Sequence, residues 1–239
     1  MIKTVLSFFS IILLSSSVFA QACELPNQNL KSWPWGTYTL EHVETVQRGL
    51  EVKTHNFPLR VILLEVPGLN SKWTLENVKE RLLKARQIFH QCDIAISCIS
   101  FYRLELKDLK AFQKKLNEDS VLNRISSKKI SGLFPKDNVQ TMFFTTDFWS
   151  VGFSGVRSFM KDQDHWDKSW INDKVFEIHK NNTSVYMTEA HELGHNLTND
   201  PVHFDPNDPS PNLMSEEDTR GNILNLEQCE AMRSHPSIR

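Results

Sequence analysis

The string His191-Glu192-Leu193-Gly194-His195 restricts what this chain can fold into more than any other stretch. On an α-helix, residues four apart share one face with Cβ atoms about 5 to 6 Å apart. Taking His191 as zero and about 100° per residue, His195 lies near 40°, while Tyr186, Ala190, Leu193 and Leu197 gather between roughly 200° and 260°. The spacing therefore predicts a helix from about Ser184 to Leu197 with an apolar back buried in a core and two imidazoles facing a cleft. Two imidazoles turned to one point suit zinc. Glu192, near 100° on the same wheel, lies beside this clamp, where a carboxylate can reach a water without ligating the metal.

A catalytic zinc site takes three protein ligands and keeps one position open, so a third donor is needed. The candidates are Asp200, His203, Asp205, Glu216 and Glu217. His203 is the preferred one, because the chain through Thr198-Asn199-Asp200-Pro201 can leave the helix and fold back. Asp200 is the alternative ligand, and its other reading is a hydrogen bond that orients a ligand. Asp205 and Asp208 stand beside Pro206 and Pro209 and read as loop punctuation.

The chain begins as an export signal does, with Lys3, an apolar run from Val5 to Leu14 and small residues at Ala20 and Ala22. That run is shorter than the roughly 20 residues a spanning helix needs. Residues 1–22 are read as the signal peptide, and the mature chain as periplasmic or secreted. Cleavage after Ala22 would leave Cys23 at the new N-terminus, where a lipid can be attached; Ala20 in place of a Leu-like residue weighs against it. The net charge of −2 excludes the basic footprint of a nucleic-acid binder.

Cys23, Cys92, Cys98 and Cys229 are an even number in an exported chain, which points to disulfides. If residues 93–98 are extended, Cys92 and Cys98 lie roughly 20 Å apart at about 3.3 Å per residue, too far for a bridge. Long-range ties to Cys23 and Cys229 are expected instead. No cysteine spacing matches a zinc site.

Residues 23–56 are polar, with a weak strand signal near Thr37 to Val46, and read as an extension or propeptide before a domain at 57–239. Leu59 to Val66 predicts a buried strand, Thr74 the cap of a helix with Leu75, Val78, Leu82, Ala85 and Phe89 on one face, and Ile94 to Leu106 a second strand. A short helix is expected at Asp108 to Leu116, strands at Val139 to Thr146 and Lys174 to Ile178, and an edge strand or irregular ribbon at Val151 to Met160. Asn225 and Gln228 predict the start of a last helix, from about Leu226 to Arg233. This order implies an α+β fold, a mixed twisted sheet with helices on it.

With these residues in view, the sequence resembles the metzincin clan of zinc peptidases, especially its small bacterial matrixin-like members. The resemblance rests on His191-Glu192-Leu193-Gly194-His195 and on Pro211-Asn212-Leu213-Met214-Ser215, which looks like the clan's methionine turn. It implies a zincin-type catalytic domain that binds Zn2+ and hydrolyses peptide bonds, with Glu192 as general base and Met214 beneath the metal. It also implies that Gly152, Phe153, Ser154 and Gly155 belong to an edge strand against which an extended peptide is laid. Thr198 stands where the clan has Gly, and Pro201 where it has the third His, so His203 as ligand requires a loop two residues longer. Two other readings stay open: a gluzincin-type peptidase with Glu216 or Glu217 as third ligand, and a non-catalytic exported protein with structural zinc. Residues 24–56 covering the cleft would make an inactive zymogen. The triplets beginning at Asn181, Asn182 and Asn196 match a glycosylation acceptor, and a sugar at Asn196 would crowd the zinc ligands.

Overall fold

The computed structural model describes residues 25, 28–33, 36–47, 55–66, 68–107, 124–146, 150, 152–158, 160–161, 163–178, 188–203, 211–215 and 221–239. Within these, β1 (Gln28–Trp33), β2 (Gly36–Gln47), β3 (His55–Glu65), β4 (Ile94–Lys107), β5 (Gln140–Thr145), β6 (Gly152–Ser154) and β7 (Lys168–Asn172) make one sheet in the order β1-β2-β4-β3-β5-β7-β6. Its centre, β4-β3-β5-β7, is parallel, while β1, β2 and β6 run antiparallel at the flanks. The fold class is α+β with a mixed sheet, as the sequence implies. β2 pairs with β4 from Thr37 to Gln47, so the polar stretch before residue 57 supplies sheet as well.

The run from Leu59 to Val66 is apolar throughout because both faces of β3 are covered. Phe57, Leu59, Val61 and Leu63 point into one core with α1 (Leu75–Phe89) and α4 (Thr188–Thr198). Ile62 and Leu64 point into a second, with Ile130 of α2 (Arg124–Ser131) and Phe134. α1 begins at a capping box: Thr74 Oγ1 accepts from the Asn77 N–H at 3.2 Å, and the Thr74 N–H donates to Asn77 Oδ1 at 3.0 Å. α5 (Leu226–Arg233) begins in the same way at Asn225 and Gln228. Thr74 as the cap of α1, and Asn225 with Gln228 as the start of α5, are read correctly from the sequence.

One element differs from expectation. Lys174 to Ile178 is not a strand: it turns into the four-residue helix α3 (Val175–Ile178), and the strand is β7, just before it. Lys168, Ser169 and Asn172 hide β7 in the sequence, yet all five of its residues are buried between β5 and β6. A strand covered on both faces by tertiary contacts need not show local periodicity. The helix expected at Asp108 to Leu116, and the start of α4 from Ser184, lie outside the described residues.

Cys92, just after α1, is bonded to Cys229 on α5, 137 residues away. Cys98 is disulfide-bonded too, and the Cys92–Cys229 bond is a long-range tie of the kind expected from the strand at 94. Among the described residues, no helix is long and apolar enough to cross a membrane.

Burying Lys168 at the start of β7 has a measurable consequence. Burial pushes its ammonium down to about 8, against the pull of Asp167, Asp137 and Asp164. A folded-state value below the ordinary 10.5 means that the charged lysine opposes folding below about pH 8. That opposition fades as pH rises from about 8 toward 10.5. Urea unfolding at pH 8 and pH 10 is expected to show the wild type gaining stability relative to Lys168→Met; identical pH dependence in the two would contradict this.

Candidate metal centre

α4 is buried along ten consecutive residues, Thr188 to Leu197. It packs on α1, α5, β6 and β7, so the helix carrying the two imidazoles is anchored on several sides. Its apolar back, with Ala190, Leu193 and Leu197, enters the core shared with α1, as the helical phase requires. Inside that core Arg81 of α1 is paired through Nε with Glu189 Oε1, and the two side chains are 2% and 0% exposed. The Arg81 guanidinium also lies 5.3 Å from the Trp73 ring centre and 5.4 Å from that of Phe176.

Each helical imidazole is aimed by a backbone carbonyl. His191 Nδ1 lies 2.7 Å from Leu213 O, and His195 Nδ1 lies 2.7 Å from Asp200 O. A carbonyl oxygen only accepts, so both Nδ1 atoms carry a proton, and in the neutral rings both Nε2 atoms present lone pairs. Those two Nε2 atoms are 3.0 Å apart. Two lone pairs at that distance repel unless a cation lies between them, which makes the pair a fit for a metal ion.

His203 joins them. The ligand atoms of His191, His195 and His203 all lie within 4.8 Å of one another. The His203 ring is 5.3 Å from that of His191 and 5.1 Å from that of His195. The two helical imidazoles are buried and His203 is exposed, so the group opens to solvent on one side.

Local contacts along the path from His195 to His203 bring the chain back to α4. α4 continues through Thr198, whose hydroxyl bonds back to Gly194 O at 2.9 Å. The left-handed turn comes one residue later, at Asn199 with φ +55°, a conformation Asn tolerates better than most residues. Ser158 ties this turn down, its N–H donating to Asn199 Oδ1 at 2.8 Å and its hydroxyl to Asn199 O at 2.6 Å. Asp200 then serves twice. Its carbonyl aims His195, and its carboxylate accepts from the Val202 N–H at 2.9 Å, which turns the chain toward His203.

Glu192, 7% exposed, lies on the side of α4 that faces β6. Its Oε1 is packed against Gly152, where any Cβ would collide with it. Gly152, Phe153 and Ser154 form the edge strand β6, and Gly155 follows it with backbone bonds to Lys168 and Asp167.

Met214, 3% exposed, sits in a turn from Asn212 to Ser215. The Met214 N–H donates to Asn212 Oδ1 at 2.8 Å. The sulfur lies against Gly194, where a Cβ would come within 2.6 Å of Sδ. Gly194 is therefore the residue that lets the turn approach α4, and the approach brings Leu213 O to His191. Asn212 and Gln228 exchange amide hydrogen bonds at 3.0 and 3.1 Å, so α5 holds the turn in place.

The backbone carbonyls of Leu213 and Asp200, the Asn212–Gln228 pair and the Arg81–Glu189 pair were not singled out in the sequence. Only Asn225 and Gln228, as a capping box, left a local trace of this support. Asp205, Glu216 and Glu217 lie outside the described residues, as do Asn181 and Asn182. Asn196 is 2% exposed and bonded to Ser169 Oγ at 3.0 Å, a position no glycan can reach.

No protein-family model and no curated protein matches this sequence. Among solved structures, the archaemetzincin of Methanopyrus kandleri is similar at 10% identity with a TM-score of 0.48, over 75% of this chain and 95% of that one.

Proposed function

We propose that this chain is an exported zinc-dependent endopeptidase of the metzincin type. The observation that carries the reading is the pair of imidazole Nε2 atoms 3.0 Å apart, each ring held at Nδ1 by a backbone carbonyl, with His203 closing the group. His191, His195 and His203 are the residues that would hold Zn2+. When bound, zinc supplies Lewis acidity, polarising a carbonyl and lowering the pKa of a water to about 7. Glu192 Oε1 accepts the proton of the attacking water and passes it to the departing amine nitrogen. Met214 supports the site from below, and Gly152 to Gly155 receive an extended peptide through backbone groups of the edge strand. The matrixin-like reading is carried by residues 190–215 alone. Export rests on residues 1–22 and fits the Cys92–Cys229 disulfide, which needs an oxidising compartment.

The test is incubation of the zinc-loaded protein with a diverse peptide mixture, with and without a chelator, reading cut sites by mass spectrometry. Cleavage that the chelator abolishes is expected. Absence of cleavage in both arms, with zinc bound, would favour a structural metal. The ligand set is tested separately: His203→Ala is expected to lose bound zinc, while Asp200→Ala keeps most of it, because the Asp200 main-chain carbonyl survives the substitution. The reverse result would make Asp200 the third ligand.

A further inference from the structure

We infer that Gly152 is a positioning residue for Glu192, its missing side chain being the seat of the catalytic carboxylate; this rests on the peptidase reading above. A Cβ at position 152 would lie 2.9 Å from Glu192 Cδ and 3.0 Å from Cγ, and closer still to Oε1. The whole end of the glutamate side chain, and not one mobile atom, occupies the space a side chain would fill. Glu192 is only 7% exposed, on a helix buried from Thr188 to Leu197, so a Cβ at 152 would displace the carboxylate from the place it holds beside β6.

The backbone at Gly152 is fixed as well. Ser150 Oγ donates to Gly152 O at 2.6 Å. Gly152 pairs in register with Ile171 of β7, and Gly155 bonds to Lys168 O at 2.9 Å. Backbone groups alternate along a strand in antiparallel pairing. Since Gly155 faces β7, Phe153 does too, and Gly152 and Ser154 turn their amides to the outer edge. The carboxylate thus lies against a residue whose amide faces the outer edge and whose missing side chain leaves the room that Glu192 fills. Glycine at 152 sets the distance between the proton acceptor and the substrate edge.

The experiment compares wild type, Gly152→Ala, Glu192→Asp and the double variant, with Gly132→Ala as a control, since a Cβ at Gly132 meets only ordinary contacts at 3.5 Å. Bound zinc, kcat and KM for one cleaved peptide, and thermal midpoints are measured for each. Gly152→Ala is expected to keep its zinc and lower kcat about 100-fold, the cost of a roughly 1 Å misplacement, with KM changed by less than about threefold. In the thermal midpoint, Glu192→Asp is expected to offset the loss caused by Gly152→Ala, since the shorter side chain vacates the space. An unchanged kcat in Gly152→Ala would overturn the proposal. So would additive midpoints in the double variant, a readout that stands even if Gly152→Ala is poorly active. If the wild type cleaves nothing, the peptidase reading fails, whereas the coupling of midpoints still reports whether the two residues share one space.

Discussion

Glu192→Gln is expected to bind zinc as the wild type does and to hydrolyse peptides about 100- to 10,000-fold more slowly, the usual worth of a positioned general base. Gln fills the same volume, so it keeps the packing against Gly152 and leaves His191 and His195 on their carbonyls. It cannot accept a proton. Metal content by atomic emission and kcat/KM on one peptide measure the two halves of the expectation. Full zinc with undiminished cleavage would remove Glu192 from the mechanism; lost zinc would mean that it holds the ion instead.

Arg81→Met is expected to lower the unfolding free energy by about 3–5 kcal/mol, the cost of leaving one member of a buried ion pair without its partner. Glu189 is fully buried, and among the described residues its Oε2 has no hydrogen-bond partner even in the wild type, so the Arg81 guanidinium is its main compensation. The double variant Arg81→Met, Glu189→Leu is expected to recover most of that loss, because an apolar pair of similar size avoids the desolvation penalty. Urea unfolding measures both. The pair also connects to the histidine group: Glu189 is two residues from His191, and α1 reaches α4 through this contact. A loss below about 1 kcal/mol in Arg81→Met would show the pair to be energetically idle.

The local signals in the sequence are of one kind: residues three or four apart. The clamp on α4, the greasy face of α1 and the capping boxes at Thr74 and Asn225 all follow from helical geometry within a single turn or two. β3 was legible because a strand buried on both faces reads as a continuous apolar run. β7 was not, because Lys168, Ser169 and Asn172 interrupt any apolar run within it, and its faces are covered by the two cores, Ile171 in one and Trp170 in the other. The same division runs through the site. His203 could be chosen from the chemistry of its side chain, but whether the loop returned it to the clamp depended on where the left-handed turn fell, and that is at Asn199.

His191, Glu192 and His195 on one helix face, with an apolar back to bury, were determined by spacing alone. Only the tertiary structure decided which way the imidazoles are turned. The atoms that aim them, Leu213 O and Asp200 O, are backbone carbonyls that every residue possesses, so no side-chain pattern marks them. They arrive by chain reversals that Gly194, Met214, Asn199 and Gln228 make possible through close approach and hydrogen bonding. Glycine at 152 is the same case: an absent side chain acquires meaning only when Glu192, forty residues later, is folded against it.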